Sequence, residues 1–95
     1  MIIELALITA LPEKEEELGQ AILQGLEVIR QHPGCISANA MRCIEQPARY
    51  MLTVHWISLE AHIVDFRGGP LFKQWRGHLE GLIQEAPEVF HYQPY

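Results

Sequence analysis

The chain is poor in cysteine and in positive charge. Of its 95 residues, two are cysteines and seven are lysine or arginine, against twelve aspartates and glutamates, so the formal net charge at pH 7 is -5. The few basic residues are scattered along the sequence and form no patch. Nucleic-acid phosphates select a basic surface, so we expect no nucleic-acid partner.

The two cysteines and the absence of long apolar runs indicate the cellular compartment in which the protein is expected. Cys35 and Cys43 stand eight positions apart on one predicted strand, which separates them by about 26 Å, whereas a disulfide needs Cα atoms within about 7 Å. The first apolar run breaks at Pro12 and has no basic leader of the kind a secretory signal carries. No run reaches the roughly 18 apolar residues of a membrane span. We therefore expect reduced cysteines, a cytoplasmic location and no membrane partner.

Motifs for metals and phosphates are also absent. No two histidines show the HxxxH or HxH spacing of ligands on one element, and no Cys-x-x-Cys occurs, so we expect no metal site. The stretch "RGGP" has two glycines followed by a proline, which lacks a backbone donor, so it does not predict a phosphate loop. Its expected role is a hinge within a helix, or a lid over a pocket.

The first third of the chain predicts a strand and a helix. The run "IIELALITA", residues 2–10, is apolar except for Glu4 and has the length of a buried strand. Pro12 is predicted to occupy the first helical position, with the acidic run behind it favoured by the helix dipole. Pro33-Gly34 ends this helix. Its apolar stripe recurs at helical spacing: Leu18, Ile22, Leu26 and Ile29.

The rest of the chain predicts a hairpin, a broken helix and a last strand. The segments "CISANAMRCI" (35–44) and "RYMLTVHWI" (49–57) alternate like paired strands, and on the second of these Trp56 and His55 point to opposite faces. After Ser58, a good N-cap, "LEAHIVDF" predicts a short helix that ends at Gly68-Gly69. A further helix begins at Pro70, its stripe reaches Ile83, and Pro87 ends it; "EVFHYQPY" predicts the last strand.

The element order predicts an α+β domain, residues 1–95, with a ferredoxin-like β-α-β-β-α-β order, a four-stranded antiparallel sheet and a broken second helix. Such a sheet carries its helices on one face only. Because the strands are apolar on both faces, the uncovered face requires a partner. We therefore expect a homodimer whose sheets pack together.

Most of the chain resembles one known family. The stretch "HPGCISANAMRCIEQPARYMLTVHWISLEAHIVDFRGGPLFKQW" is similar to the antibiotic biosynthesis monooxygenase (ABM) superfamily of dimeric α+β barrels. The resemblance runs through "PGC" opening the second strand, "EQPARYML" as the hairpin, "HWISLEAH" as strand end and helix cap, and the following "PLF" helix. It implies a dimer with a pocket between the sheet and the broken helix.

The resemblance implies a function and a site. It implies a small cofactor-independent monooxygenase that brings dioxygen to an aromatic or quinol-type molecule, with no metal and no organic cofactor. By position in the family's motifs, the implied catalytic residues are Trp56, His62 and Arg76. His62 is a candidate general base because its ordinary pKa lies near 6.5, and Arg76 is either an anion anchor or the ion-pair partner of Glu80. The expected substrate-binding residues are Asn39, Phe66, Phe72 and Trp75.

Departures from the family pattern keep other functions open. His55 stands where many members carry a glutamate, and Leu52 stands where the phenol oxygenases carry an asparagine. The haem-degrading branch uses an axial histidine near "LFKQWR", where this chain has Trp75 and Arg76, so haem degradation is disfavoured. The alternatives are a non-oxidative isomerase or cyclisation aid on the same fold, and a dimer that binds a ligand or serves a stress response without catalysis. Asn39 points either into the pocket or across the dimer face.

Overall fold

The computed structural model describes residues 1–95 and contains the predicted elements in the predicted order. The second predicted helix is divided into a short π-helix and an α-helix. None of the helices has the length and hydrophobicity that crossing a bilayer requires. The elements are β1 (Ile2–Thr9), α1 (Glu15–Arg30), β2 (Cys35–Arg42), β3 (Arg49–Trp56), the π-helix (Ala61–Phe66), α2 (Pro70–Leu79) and β4 (Glu88–Tyr92).

The four strands form one antiparallel sheet in the order β2-β3-β1-β4, which confirms the ferredoxin-like fold. On β3 the residues that face the helices are buried and their neighbours are only half-buried. Trp56 is fully buried, while His55 lies on the other face opposite Ile3, as the alternation predicted. The four strands end one to three residues earlier than predicted, at Thr9, Arg42, Trp56 and Tyr92.

The first helix begins at Glu15, so the prediction that Pro12 opens it was wrong. The backbone N–H groups of Ala10 and Leu11 donate to the carbonyls of Ala48 and Leu82, at 2.8 and 2.9 Å, and hold the chain away from the helix axis. A turn is therefore needed first, and Glu13 adopts φ 67° within it. This left-handed conformation is incompatible with the interior of an α-helix.

The break in the second helix lies at Gly68 and Gly69, where it was predicted. Ser58 Oγ accepts the backbone N–H of Ala61 at 3.2 Å, in agreement with its predicted capping role. The helix then winds with a wider turn, because the N–H of Arg67 donates to the carbonyl of His62, five residues earlier, at 3.1 Å. Single π-helical turns of this kind occur often at functional sites.

The last helix ends at Leu79, so the prediction that it continues to Pro87, with an apolar stripe as far as Ile83, was wrong. Gly81 adopts φ 80°, a left-handed conformation that glycine tolerates and that stops a helix. Ile83 then pairs with Ala10 across an isolated β-bridge. This pairing joins residues far apart in sequence, and local helical periodicity does not report it.

The face of the sheet opposite the helices is uncovered. Ile3, Leu5 and Leu7 on β1 lie there half-buried, and Phe90 and Tyr92 on β4 are 49% and 54% exposed. We call this surface the outer face. It is apolar across three neighbouring strands, because Met51 of β3 pairs with Leu7.

Candidate active site

A cavity of about 280 Å³ lies between the sheet and the broken second helix. Its floor comes from the helix-facing side of the sheet, and its walls come from the π-helix, α2 and the segment before β4. The lining residues are Glu4, Ala6, Ile8, Ile29, Leu52, His62, Phe66, Arg67, Phe72, Trp75, Arg76, Ala86, Pro87 and Val89. Nine of these fourteen are hydrophobic, so the interior suits an apolar molecule with few polar groups.

Aromatic rings form one wall of the cavity. Phe66 and Phe72 meet edge to face, with centroids 5.7 Å apart and an interplanar angle of 84°. The ring of Trp75 is buried against α1, where a Cβ added at Gly25 would overlap it. The Arg76 guanidinium carbon lies 5.8 Å from the Phe72 ring centroid. Such rings offer flat faces to an aromatic ligand.

The polar end of the cavity is a buried carboxyl, Glu4, which is 6% exposed. Trp56 Nε1–H donates to Glu4 Oε1 at 3.0 Å, and His62 Nε2 lies 3.3 Å from the same oxygen. The Trp56 and His62 rings stack with centroids 5.0 Å apart and planes only 9° from parallel. The indole therefore fixes both the carboxyl and the imidazole.

A second histidine extends this polar group toward the surface. His91 Nε2 lies 2.8 Å from His62 Nδ1, and His91 is half-buried on β4. The sheet brings it there, because His91 and Glu4 are paired across β4 and β1. His62 thus has a hydrogen-bond partner at Nδ1, and its Nε2 lies beside the Glu4 carboxyl. We call the series Glu4–His62–His91 the polar chain.

Burial dominates the ionisation of the polar chain. Burial raises the pKa of Glu4, although the Trp56 hydrogen bond and Arg67 act to lower it. Burial, followed by the charges of Arg67 and His91, lowers the pKa of His62 to about 3. Burial and Arg67 also lower the pKa of His91. Both imidazoles are therefore neutral at pH 7, and Glu4 Oε1 lies 3.3 Å from Nε2 of an uncharged ring rather than in an ion pair.

The proton positions follow from the surroundings when Glu4 is ionised. The carboxylate favours the His62 tautomer that carries its proton on Nε2, the nitrogen 3.3 Å from Glu4 Oε1. His62 Nδ1 then accepts a hydrogen bond from His91 Nε2–H.

Comparison with known proteins identifies the family of this chain. The sequence model of the family described as antibiotic biosynthesis monooxygenase matches residues 1–78 of this chain. The chain belongs to the antibiotic biosynthesis monooxygenase family. The resemblance noted in the sequence is thereby confirmed.

Individual relatives match over nearly the whole length of this chain. An uncharacterised protein of Bacillus subtilis (strain 168), YczJ, is 30% identical over 93 residues, 98% of each chain. A crystal structure from Bordetella bronchiseptica assigned to this family is 33% identical, with a TM-score of 0.92 over 99% of this chain and 96% of that one. Another, from Deinococcus radiodurans, is 23% identical with a TM-score of 0.83 over 100% and 93%, and shows the shared fold.

Five of the seven residues proposed from the ABM resemblance line the cavity: His62, Phe66, Phe72, Trp75 and Arg76. Trp56 is not on the wall but lies behind His62. Asn39 is exposed on the outer face, paired with Thr53, and takes no part in the cavity. Arg76 lies over Phe72 and is not paired with Glu80.

Three residues of the site were not singled out in the sequence: Glu4, Arg67 and His91. Glu4 is the one charge in the apolar run of β1, and a charge on a buried strand is a signal of its own. His91 and Val89 are two residues apart on β4, so both side chains lie on the face of the sheet that the helices cover. No signal marks Arg67, which follows the π-helix and is exposed. No group of three or more His, Cys, Asp or Glu side chains has an arrangement that would hold a metal ion.

Proposed function

We propose that this ABM protein is a cofactor-independent monooxygenase that oxidises a small aromatic or quinol-type molecule with dioxygen. The observation that supports this most strongly is the combination, in one cavity, of aromatic walls and a buried carboxyl held by a tryptophan and a histidine. The cavity volume of about 280 Å³ lies just below the usual range for small-molecule sites, roughly 300–1,000 Å³, so the substrate is expected to be small.

The cavity favours the anionic form of such a ligand. Phe66, Phe72 and Trp75 supply ring faces and edges, and the exposed guanidinium groups of Arg67 and Arg76 border the same space. Positive charge placed beside a low-dielectric cavity stabilises a phenolate or enolate more than the neutral acid. Arg76 is the proposed anchor for its oxygen.

An anthrone-type substrate illustrates the electron balance. Removal of a proton leaves an electron-rich anion, which gives one electron to dioxygen, and the two radicals combine to a peroxide. When the O–O bond breaks, one oxygen remains as the new carbonyl and the other leaves as water with the two hydrogens of the oxidised carbon. The substrate supplies all four electrons. The protein orients the reactants, excludes water and accepts the proton.

The proposed roles of the candidate residues follow from their contacts. Trp56 acts by positioning, because it is buried behind His62 and hydrogen-bonds to Glu4. His62 is hydrogen-bonded to His91 through Nδ1 and lies against Glu4 Oε1 through Nε2, so we assign it to orienting the carboxyl. Asn39 is left out of the proposed site because it lies on the outer face.

A pair of matched variants tests the function. We expect purified protein to convert anthrone in air to the quinone faster than the buffer blank. Val89→Phe places a ring in the cavity, whereas Val64→Phe places one on the π-helix at a side chain that is 58% exposed. Val89→Phe is expected to lower kcat/KM about 10- to 100-fold by displacing the substrate, and Val64→Phe to leave it unchanged.

Quinone absorbance measures the rate, and circular dichroism checks that both variants fold. A wild-type rate equal to the blank would contradict the proposal, as would equal rates for the two variants.

A non-oxidative isomerase is the second candidate, because the polar chain also suits proton transfer alone. It requires turnover that persists under strict anaerobiosis. Thermal stabilisation by ligand without turnover would indicate the non-catalytic alternative.

We also propose that two copies of the chain form a homodimer through the outer face. Leu5 lies in its middle, between Thr53 of β3 and Phe90 of β4. Leu5→Lys is expected to weaken dimerisation about 100-fold or more, since burying an unpaired charge costs several kcal/mol. Leu23→Lys, on the helix side and already 56% exposed, is the control. Sedimentation velocity measures both, and a wild-type chain that sediments as a 10.9 kDa monomer would contradict the proposal.

A further inference from the structure

We infer that Glu4 is the residue that takes up the substrate's proton, on Oε2, and that Trp56, His62 and His91 are positioning residues that leave this oxygen free. The inference rests on the proposed function for the class of ligand. It concerns proton transfer alone, so it is testable in the absence of dioxygen.

The two carboxylate oxygens of Glu4 have different surroundings. Oε1 receives Trp56 Nε1–H at 3.0 Å and is 3.3 Å from His62 Nε2. No fully buried side-chain nitrogen or oxygen in the chain lacks a hydrogen-bond partner, and every contact of the Glu4 carboxyl runs through Oε1. Oε2 is therefore accessible, and since Glu4 lines the cavity, Oε2 is the oxygen that faces a ligand.

His62 is a poor alternative base in this geometry. Its Nδ1 is hydrogen-bonded to His91, and its Nε2 lies 3.3 Å from Glu4 Oε1. Burial lowers the pKa of His62 to about 3 and raises the pKa of Glu4, so the imidazole is the weaker base of the two. Stacking on Trp56 prevents the ring from turning freely. A base must lie within hydrogen-bond reach of the proton it removes, and among the groups of the polar chain Glu4 Oε2 meets that condition.

His91 acts on Glu4 through His62. As long as His91 Nε2–H donates to His62 Nδ1, the proton of His62 must be on Nε2, where it lies close to Glu4 Oε1 and favours the charged carboxylate. Without His91, His62 is free to hold its proton on Nδ1, and the lone pair of Nε2 then lies beside the carboxylate. A carboxylate that loses a neighbouring positive dipole is a stronger base and titrates at higher pH.

The proposed step conserves atoms and charge. The O–H or acidic C–H bond of the substrate breaks, its electron pair stays on the substrate, and the proton forms a new O–H bond at Glu4 Oε2. The negative charge passes from the carboxylate to the substrate, so the cavity keeps a single negative charge. After dioxygen is reduced, the same carboxyl returns the proton to the peroxide oxygen.

Hydrogen–deuterium exchange isolates this step. Anthrone is incubated anaerobically in D2O with protein, and NMR follows the loss of its methylene protons. Wild-type protein is expected to accelerate exchange above the blank, and Glu4→Gln to slow it about 100-fold or more relative to wild type. Glutamine keeps an oxygen that accepts the Trp56 N–H. Glu60→Gln, which changes an exposed carboxyl just before the π-helix and outside the cavity, is the control and is expected to exchange at the wild-type rate.

The outcomes separate this inference from the proposed function. Exchange without quinone formation in air would overturn the monooxygenase and leave the base assignment standing. Absence of exchange in the wild type, or equal exchange in wild type and Glu4→Gln with both folded by circular dichroism, would overturn the base assignment.

The pH profile of exchange tests the positioning role of His91. The ionisable groups around the polar chain are Arg67 and Arg76 on the cavity rim and Cys35 on β2, whose pKa burial raises. His91→Leu is expected to move the midpoint upward by about one pH unit, because the proton of His62 is no longer fixed on Nε2 beside the carboxylate. His78→Leu, on α2 and outside this cavity, keeps the wild-type midpoint. An unchanged midpoint in His91→Leu would contradict the role of His91.

Discussion

Replacing Trp56 by alanine is expected to lower the free energy of unfolding by about 3–5 kcal/mol, the usual range for removing a buried aromatic side chain. Trp56 is fully buried and lies against three rings, those of His62, Phe66 and His32. Its removal leaves a void among them and takes a hydrogen bond from the buried Glu4. Urea unfolding at one fixed protein concentration measures the loss.

Two further variants on the same strand end separate packing from hydrogen bonding. Trp56→Phe keeps an aromatic ring but removes the N–H that donates to Glu4. Its free energy of unfolding is therefore expected to lie between those of wild type and Trp56→Ala. Ile57→Ala, at a side chain that is 59% exposed, is expected to change the free energy by about 0.5 kcal/mol or less. A loss below about 1 kcal/mol in Trp56→Ala would show that the packing around Trp56 is not as described.

Acidification is expected to destabilise the protein through His62. Its pKa is near 6.5 in the unfolded chain and about 3 in the folded one, so between these values the unfolded chain binds the proton and the folded chain does not. The stability that the neutral ring provides is complete above about pH 6.5 and is lost progressively as the pH falls toward 3. For this group alone the loss between about pH 7 and about pH 4 is roughly 3 kcal/mol.

Glu4 acts in the opposite sense. Because its pKa is raised, the folded chain binds the Glu4 proton at pH values where the unfolded chain has released it. The contribution of Glu4 to stability is therefore present at low pH and is lost as the pH rises through the raised pKa.

A variant without the titrating ring isolates the effect of His62. His62→Gln is expected to show a shallower fall in stability between pH 7 and pH 4 than wild type, and His78→Gln the wild-type fall. Thermal or urea unfolding at each pH measures the slope, and a wild-type slope in His62→Gln would refute the attribution.

The fold was predictable because its signals are local. Alternation on "RYMLTVHWI" distinguished the two faces of β3, and the glycine pair at 68 and 69 marked the break in the second helix. The errors occur where distant residues pair. The start of α1 and the end of α2 depend on the hydrogen bonds of Ala10 and Leu11 to Ala48 and Leu82 and on the bridge from Ala10 to Ile83.

The site was predictable in its apolar part and not in its polar part. Phe72 and Trp75 lie on a helical stripe, and the family resemblance adds His62 and Arg76. The partnership of Glu4 with His91 requires the register between the first and last strands, which hydrophobic pattern alone does not specify. For the same reason the face on which Asn39 lies remained open until the pairing with Thr53 was known.

Isotope labelling tests the central claim, that the cavity brings dioxygen and an aromatic molecule together for oxygenation. Anthrone is mixed with wild-type protein under ¹⁸O₂ in unlabelled water, and the quinone is analysed by mass spectrometry. The account predicts one ¹⁸O atom per quinone, formed faster than in the blank and suppressed in Val89→Phe. Quinone without ¹⁸O, or formed no faster than without protein, would contradict it.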